Sequence, residues 1–506
     1  MDINKLSLEE KIGQMLMFAF HGTSYNEQLD VFINELDLGG VICFARNITD
    51  VEQISKLNSE IQARAKYPMF IGLDQEGGPV LRVMSGITPL PGAMSLSSSD
   101  RSKIYDITKV VGNDLKHLGF NMNFAPVGDI NNNPKNPVIN SRSYSDDARV
   151  VADLSEAAFK GFQAGGILPT IKHFPGHGNT SVDSHIGLPI MNDSVDQIMK
   201  QELIPFKNAI DAGIDGVMMS HILYKNLDDT YPSSLSKKII NDLLIEELGF
   251  NGLIVTDSLT MGAIYNRFTI EEIVYNAVNA GVDIMIFCGR ADINEQRFIR
   301  NKFIELVNNG RIGIDRINRS VEKIIKYKKK YVKNEIDLGK INLTKNNILA
   351  RELQEKSITL VKDSNILPIT KEEKTLILFP KINVFSLVDN ANQKYETLNK
   401  FLGLDEFIYD NNKTNYSKIL EMQENYDKII MATYNVTEDD YQVELFNKLN
   451  KDKVIVISLR SPYDILYLQD CKTYICCYEA TLEALEAVSK VLTGKIKAEG
   501  KLPIKL

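Results

Sequence analysis

The stretch K-H-F-P-G-H-G-N-T-S-V-D-S-H-I-G-L-P, residues 172–189, decides how the rest of the chain is read. It holds three of the six histidines, His173, His177 and His185, and Asp183 stands two residues before His185, within reach of its imidazole. Gly176, Gly178, Gly187, Pro175 and Pro189 interrupt any regular element, which predicts a shaped loop. The residues just before it, Gly166-Ile167-Leu168-Pro169-Thr170-Ile171, read as a short buried strand. A polar, histidine-rich loop at the C-terminal end of a buried strand is where α/β barrels carry their chemistry. A packed loop of surface histidines is the plain alternative, and the density of the cluster argues against it.

Apolar runs of the same kind recur on both sides. Strands are expected over 15–20, 40–44, 70–74, 122–125, 167–171, 216–220, 253–256 and 284–287. Helical periodicity lies between them, over 51–65, 102–118, 148–164, 195–212, 235–248 and 270–280. Eight β-α units is the count for a (β/α)8, TIM-like barrel, and a doubly wound open sheet gives the same alternation. The barrel domain is expected over residues 1–331, its last helix ending in the basic run 326–330, which offsets the helix dipole. A polar linker is expected over 332–347. Residues 348–506 then form a smaller α/β sandwich domain with a mostly parallel sheet, with strands over 375–379, 428–434, 454–459 and 473–477 and a helix over 482–491. That domain has no G-x-G-x-x-G or Walker loop.

At 506 residues the chain exceeds what one core organises. A formal charge of −8 argues against nucleic acid as a partner, and no apolar run is long enough to imply a membrane partner. Five cysteines, with Cys476 and Cys477 adjacent, do not form a disulfide framework, and without a C-x-x-C pair no structural zinc is expected. The opening residues lack the apolar core of a signal peptide, so a cytoplasmic protein is expected, or a secreted one if an export signal has been trimmed. Oligomeric state stays open.

Polar candidates gather just past strand ends. Asp74-Gln75-Glu76-Gly77-Gly78-Pro79 follows the third strand, with Arg82 close behind; a polar loop over 126–134 leads to Arg142; Ser220-His221 ends the sixth strand. Asp257 closes the seventh. Alone it reads equally as a helix N-cap, and as one of several polar groups at one mouth it reads as a nucleophile. A carboxylate facing an Asp–His pair suits glycoside cleavage, in which one group attacks the anomeric carbon and another protonates the leaving oxygen. Asp183 would orient His185 and favour its charged form for that proton transfer. Two other readings stand beside this one. His173, His177, Asp183 and His185 are metal-ligand types, which admits a metal-dependent hydrolase, although Asp183-Ser184-His185 is too tight to place both side chains on one ion. A sugar-binding protein without catalysis is the third.

The stretch 172–189 resembles the motif K-H-F-P-G-H-G-x-T-x-x-D-S-H of glycoside hydrolase family 3, in its β-N-acetylglucosaminidase (NagZ-type) branch, in the two-domain form. The resemblance extends to Asp74-Gln75-Glu76-Gly77-Gly78, to Asn123-Phe124-Ala125-Pro126-Val127 with Asn133-Pro134 and Arg142-Ser143, and to the strand 253–261 around Asp257. It also covers Ser357-Ile358-Thr359-Leu360-Val361-Lys362 and Gly500-Lys501-Leu502-Pro503 in the second domain. It implies a retaining, exo-acting β-N-acetylhexosaminidase with Asp257 as nucleophile, His185 as acid/base and Asp183 as its partner. Asp74, Arg82, Arg142, Lys172 and His173 would hold the terminal N-acetylglucosamine. No cofactor and no metal is implied. The implied substrate is a small carbohydrate or muropeptide from the cell wall, as in peptidoglycan recycling, and a phosphorylase using the same residues is a close variant. Pro79, Asn140 and Asn179 depart from the family's frequent arginine, glycine and aspartate, which puts loop detail in doubt and leaves the trio intact.

Overall fold

The computed structural model describes residues 2–289, 292–382, 396–412 and 414–506. Its first sheet has eight strands: β1 (Leu16–Ala19), β2 (Gly40–Cys43), β3 (Phe70–Leu73), β4 (Met122–Asn123), β5 (Leu168–Phe174), β6 (Gly216–Met219), β7 (Leu253–Thr256) and β8 (Met285–Phe287). Each pairs in parallel with the next from β1 to β7, and β8 pairs with β1 through Leu16 and Met285. A bridge between Val255 and Ile284 joins β7 to β8 and completes the ring. Every residue of these strands is buried. Each has a packed barrel interior on one side and helices on the other, which is why they read as unbroken apolar runs. The alternation therefore resolves as the barrel and not as an open sheet.

Three departures matter for the site. β4 stops short of 125 because Pro126 brings no N–H to the ladder, and the Asn123 side chain takes over instead, accepting from Gln75 N at 2.9 Å and donating to Gln75 O at 3.1 Å. β5 runs three residues past 171, with Ser220 N donating to Phe174 O at 2.9 Å. Lys172 and His173, expected in the loop, are thus strand residues with a fixed backbone, and the loop proper starts at Pro175. The helix expected over 195–212 is two, Val195–Lys200 and Ile204–Asp211, since Pro205 cannot continue a helix arriving from behind.

The stretch expected as linker is partly structured. Glu335 pairs with Lys116 at 2.9 Å and Asp337 N donates to His117 O at 3.2 Å, laying it along the barrel. Asn342 then caps the helix Leu343–Ser357, which begins inside 332–347.

The second sheet contains β9 (Thr359–Lys362), β10 (Thr375–Pro380), β11 (Asp405–Tyr409), β12 (Lys428–Thr433), β13 (Val454–Ser458) and β14 (Thr473–Cys476), in the order β9-β14-β13-β12-β10-β11. All neighbours are parallel except β9, which runs antiparallel to β14. Alternate residues feed two cores: Leu376, Leu378 and Val456 on one face, Ile377, Ile455 and Ile457 on the other, the latter under helix Leu482–Leu492. Met94, from barrel helix Ala93–Ser98, enters the first of these cores. The chain end returns to the barrel, where Lys501 N donates to Ser98 O at 3.0 Å and Ser145 Oγ to Pro503 O at 2.5 Å. Among the described residues no helix is long and apolar enough to cross a membrane.

Gly178 shows how tightly the histidine loop is seated. A Cβ there would lie 1.5 Å from the carbonyl oxygen of Ile130, a backbone atom that cannot swing away. Gly178→Ala is expected to cost about 3 kcal/mol and lower the melting temperature by about 5 °C or more. Differential scanning calorimetry checks this, and an unchanged transition would mean that the loop is not held against Ile130.

Candidate active site

A buried ion cluster forms one wall. Lys172, near the C-terminal end of β5, places its Nζ 2.8 Å from Asp74 Oδ1 and 2.6 Å from Glu76 Oε1. Arg142 grips Glu76 with two parallel bonds of 2.8 Å, Nε to Oε2 and Nη2 to Oε1, while Arg82 Nη2 lies 3.2 Å from Asp74 Oδ2. Burial opposes ionisation of both carboxylates, yet the neighbouring cations hold each below its usual range, Lys172 then Arg82 for Asp74, Arg142 then Lys172 for Glu76. Burial likewise opposes the charge on Lys172, and the two carboxylates more than offset it, raising its pKa. Three cations meet two anions, so the cluster carries excess positive charge. Glu76 stands behind the wall; Asp74, Arg82, Arg142 and Lys172 face a cavity of about 660 Å³.

His173 and His177 are organised by one carboxylate. Asp129 Oδ2 lies 2.6 Å from His173 Nδ1, and its Oδ1 accepts the backbone N–H groups of His173 at 3.1 Å and His177 at 2.7 Å. His177 spends both ring nitrogens within the loop, on Thr180 Oγ1 at 2.8 Å and Ser184 Oγ at 3.1 Å. Burial, then the neighbouring His173, brings its pKa down to about 4, so it is neutral near pH 7.

His185 is the more exposed histidine of the loop. Asp183 Oδ1 accepts its backbone N–H at 2.8 Å and lies 2.7 Å from its Nδ1, which fixes the proton there and leaves Nε2 to the cavity. Burial would raise the Asp183 pKa, but the bond from His185 brings it down. The loop is docked on the helix Gly262–Tyr265, with Gly262 N donating to His185 O and Ala263 N to Ser184 O, both at 3.2 Å. That helix follows β7, so the elements carrying His185 and Asp257 are tied together by backbone.

Asp257 leaves β7 with its own N–H on Met219 O at 3.0 Å, and its Oδ1 accepts from Ser258 N at 2.7 Å. It caps no helix: the next one starts at Gly262, with Met261 as N-cap. Burial would raise its pKa, but His221, His173 and His185, with the Ser258 N–H, hold it at about 2. The carboxylate is ionised at neutral pH, as a nucleophile requires.

All eight singled-out residues converge. Seven line the cavity directly, and Asp183 stands behind His185. His173, His177 and His185 of the loop all line the cavity, yet among the described residues no three of His, Cys, Asp or Glu are gathered as a metal-ligand set. Three residues were not assigned a role from sequence. Glu76, Asp129 and His221 are the buried partners behind the wall, and His221 donates Nε2–H to Ser258 O at 2.9 Å beside Asp257. Glu76 was visible as the second carboxylate of its loop; nothing in Gly128-Asp129-Ile130 announces that Asp129 turns toward β5.

The family model for the glycosyl hydrolase family 3 N-terminal domain matches residues 7–327. The structure of a family 3 β-N-acetylglucosaminidase from Paenibacillus sp. str. FPU-7 superposes with a TM-score of 0.93 at 35% identity, covering 99% of each chain. Beta-hexosaminidase A of Pseudoalteromonas piscicida is 30% identical over 99% of this chain and 97% of its own length. A beta-hexosaminidase of Nitrosomonas eutropha is 35% identical over 55% of this chain and 81% of its own. With a closed parallel barrel, a second α/β domain and these matches along its length, the chain belongs to glycosyl hydrolase family 3 and is a glycoside hydrolase.

Proposed function

We propose that the protein is an exo-acting, retaining β-N-acetylglucosaminidase that releases terminal N-acetylglucosamine from cell-wall fragments, N-acetylglucosamine joined to N-acetylmuramic acid above all. The observation that carries this is one cavity faced by an ionised Asp257, by the His185 ring held on Asp183, and by the cation-rich wall of Lys172, Arg142 and Arg82. The matched β-N-acetylglucosaminidase and beta-hexosaminidases support the choice of sugar.

The wall takes the terminal sugar, since charge-assisted hydrogen bonds to hydroxyls fix a polyol's orientation. Asp257 attacks the anomeric carbon as His185 Nε2 passes its proton to the departing oxygen, giving a glycosyl ester on Asp257. Water then attacks the same carbon, His185 takes its proton, and Asp257 leaves as the carboxylate. Asp183 keeps the imidazole in one tautomer through both steps. Glu76 acts behind the sugar: without it Arg142 and Lys172 lose their shared anion.

Hydrolysis of 4-nitrophenyl N-acetyl-β-glucosaminide tests the assignment. Asp257→Ala is expected to lose at least about a hundredfold in rate. His185→Ala should keep a fast first step, because nitrophenol needs little protonation, and slow by about a hundredfold in the second, visible as a burst. A chelator should leave the rate unchanged. Inactivity of the wild type, or loss of activity on chelation, would sink the reading, and release of sugar 1-phosphate on adding phosphate would make the enzyme a phosphorylase. In Glu76→Gln the wall keeps its shape and loses a buried charge. KM is expected to rise about tenfold with a smaller change in kcat, and stability to fall by about 3 kcal/mol. Steady-state kinetics with a thermal melt measure both, and an unchanged KM would remove Glu76 from substrate binding.

A further inference from the structure

The other cations that line the cavity are committed to carboxylates: Lys172 and Arg82 to Asp74, Arg142 to Glu76. Arg46 is different. It sits on the short turn Ala45–Asn47 that follows β2, lines the same cavity, and is exposed at its rim. Its guanidinium lies over the Phe44 ring, 4.4 Å from the centroid, and Arg82 lies 5.4 Å from the same ring. Among the described residues Arg46 has no ion pair and no side-chain hydrogen bond, and the titratable groups that act on it are Cys288, Arg82 and Cys43, none of them a carboxylate.

Depth decides what Arg46 meets. The side chains of Lys172, Arg142 and Arg82 are 3%, 1% and 5% exposed, so the sugar they hold is the innermost part of any ligand. Whatever that sugar is attached to points outward, past His185 and the rim. There it finds Phe44 and the exposed Ile186 as apolar surface, with Arg46 as a charge that no described carboxylate pairs. Stacking holds the guanidinium plane in place while its N–H edge stays available, the arrangement that suits two-point recognition of an oxyanion.

Resting on the function proposed above, we propose that Arg46 makes the outer half of the cavity selective for an anionic oxyacid group. Two sources offer that chemistry. One is a carboxylate on the leaving portion of the glycoside. The other is phosphate replacing water in the second step: a phosphate oxygen bonds to the anomeric carbon, the ester bond to Asp257 breaks, and Asp257 departs as carboxylate, giving the sugar 1-phosphate.

The test uses the full-length enzyme, Arg46→Met and Arg46→Lys. The matched substrates are N-acetylglucosaminyl-β-1,4-N-acetylmuramic acid and its lactyl methyl ester, which differ only in the charge. The ratio of kcat/KM for acid over ester is expected to fall about threefold to tenfold in Arg46→Met, chiefly through KM, with partial recovery in Arg46→Lys. The second arm titrates inorganic phosphate and follows partition between free sugar and sugar 1-phosphate. A drop in the acid-over-ester ratio assigns Arg46 to the leaving group; a drop in phosphate partition assigns it to the acceptor. If both quantities match wild type in Arg46→Met, the inference is overturned while the glycosidase reading stands. A wild type inactive on both glycosides and on the nitrophenyl substrate overturns both.

Discussion

The structure turns on one ammonium group shared between two carboxylates. Lys172 Nζ lies within 2.8 Å of both Asp74 and Glu76, which come from a loop 98 residues earlier in the chain. Removing such charges from water costs several kcal/mol per ion, and the cost is offset only when partners meet them in good geometry. That condition constrains three stretches at once. β5 must run far enough to carry Lys172 to the barrel mouth, the loop after β3 must fold back with Val83 O and Arg82 N on the Gln75 side chain, and the turn before Arg142 must aim its fork at Glu76. Since cations exceed anions, hydrogen-bond donors remain for hydroxyls. The same arithmetic that makes the cluster affordable to bury suits it to the polyol grip proposed above.

The second domain enters through that constraint. Glu479, just past β14, accepts from Gly92 N at 2.6 Å and stands so close to Gly78 that a Cβ there would meet its carboxylate at 2.3 Å. Asn140 Nδ2 donates to Ser461 Oγ at 3.1 Å, and Tyr463 OH to Asn131 O at 3.3 Å. The loops so held are those that carry Asp74, Glu76 and Arg142. The domain thus restrains the grip from outside, although the residues named for catalysis all come from the barrel.

What could be read from sequence follows burial. Barrel strands buried on both faces are unbroken apolar runs, so all eight were legible to within a few residues. β9 and β11 were not, because Thr359-Leu360-Val361-Lys362 and Asp405-Glu406-Phe407-Ile408-Tyr409 are edge strands, half exposed, with charge where a central strand has none. Among functional residues, those facing the cavity were legible as clusters past strand ends. Their buried partners showed only as polar residues past strand ends, and their pairings were not legible: Asp129 serves His173 from 44 residues away, and His221 acts on Asp257 from the adjacent strand end, relations set by barrel closure and invisible in local spacing. The extension of β5 through Lys172 and His173 was missed because glycines and prolines downstream dominated the reading, while pairing with β6 runs on to Phe174.

The function proposed above gives a histidine part of the work that two carboxylic acids share in most glycosidases. His221 and His177 are drawn below the usual imidazole range by burial, so at neutral pH they act as neutral hydrogen-bonding groups. The histidines around Asp257 become cations only as the pH falls, which holds its titration low, and at neutral pH His221 and His177 lock no cation onto its carboxylate. His185 is set apart by exposure and by Asp183, an anion at its far nitrogen. In the mechanism proposed above, His185 becomes neutral when it gives up its proton, so it would add no negative charge to a cavity where Asp257 has just been neutralised by the sugar. A glutamate in that position would become an anion at the same moment and would oppose any negatively charged group arriving from outside. On the same proposal, a base that is neutral once deprotonated, with a rim guanidinium that no described carboxylate pairs, would leave the outer half of the site with a positive bias.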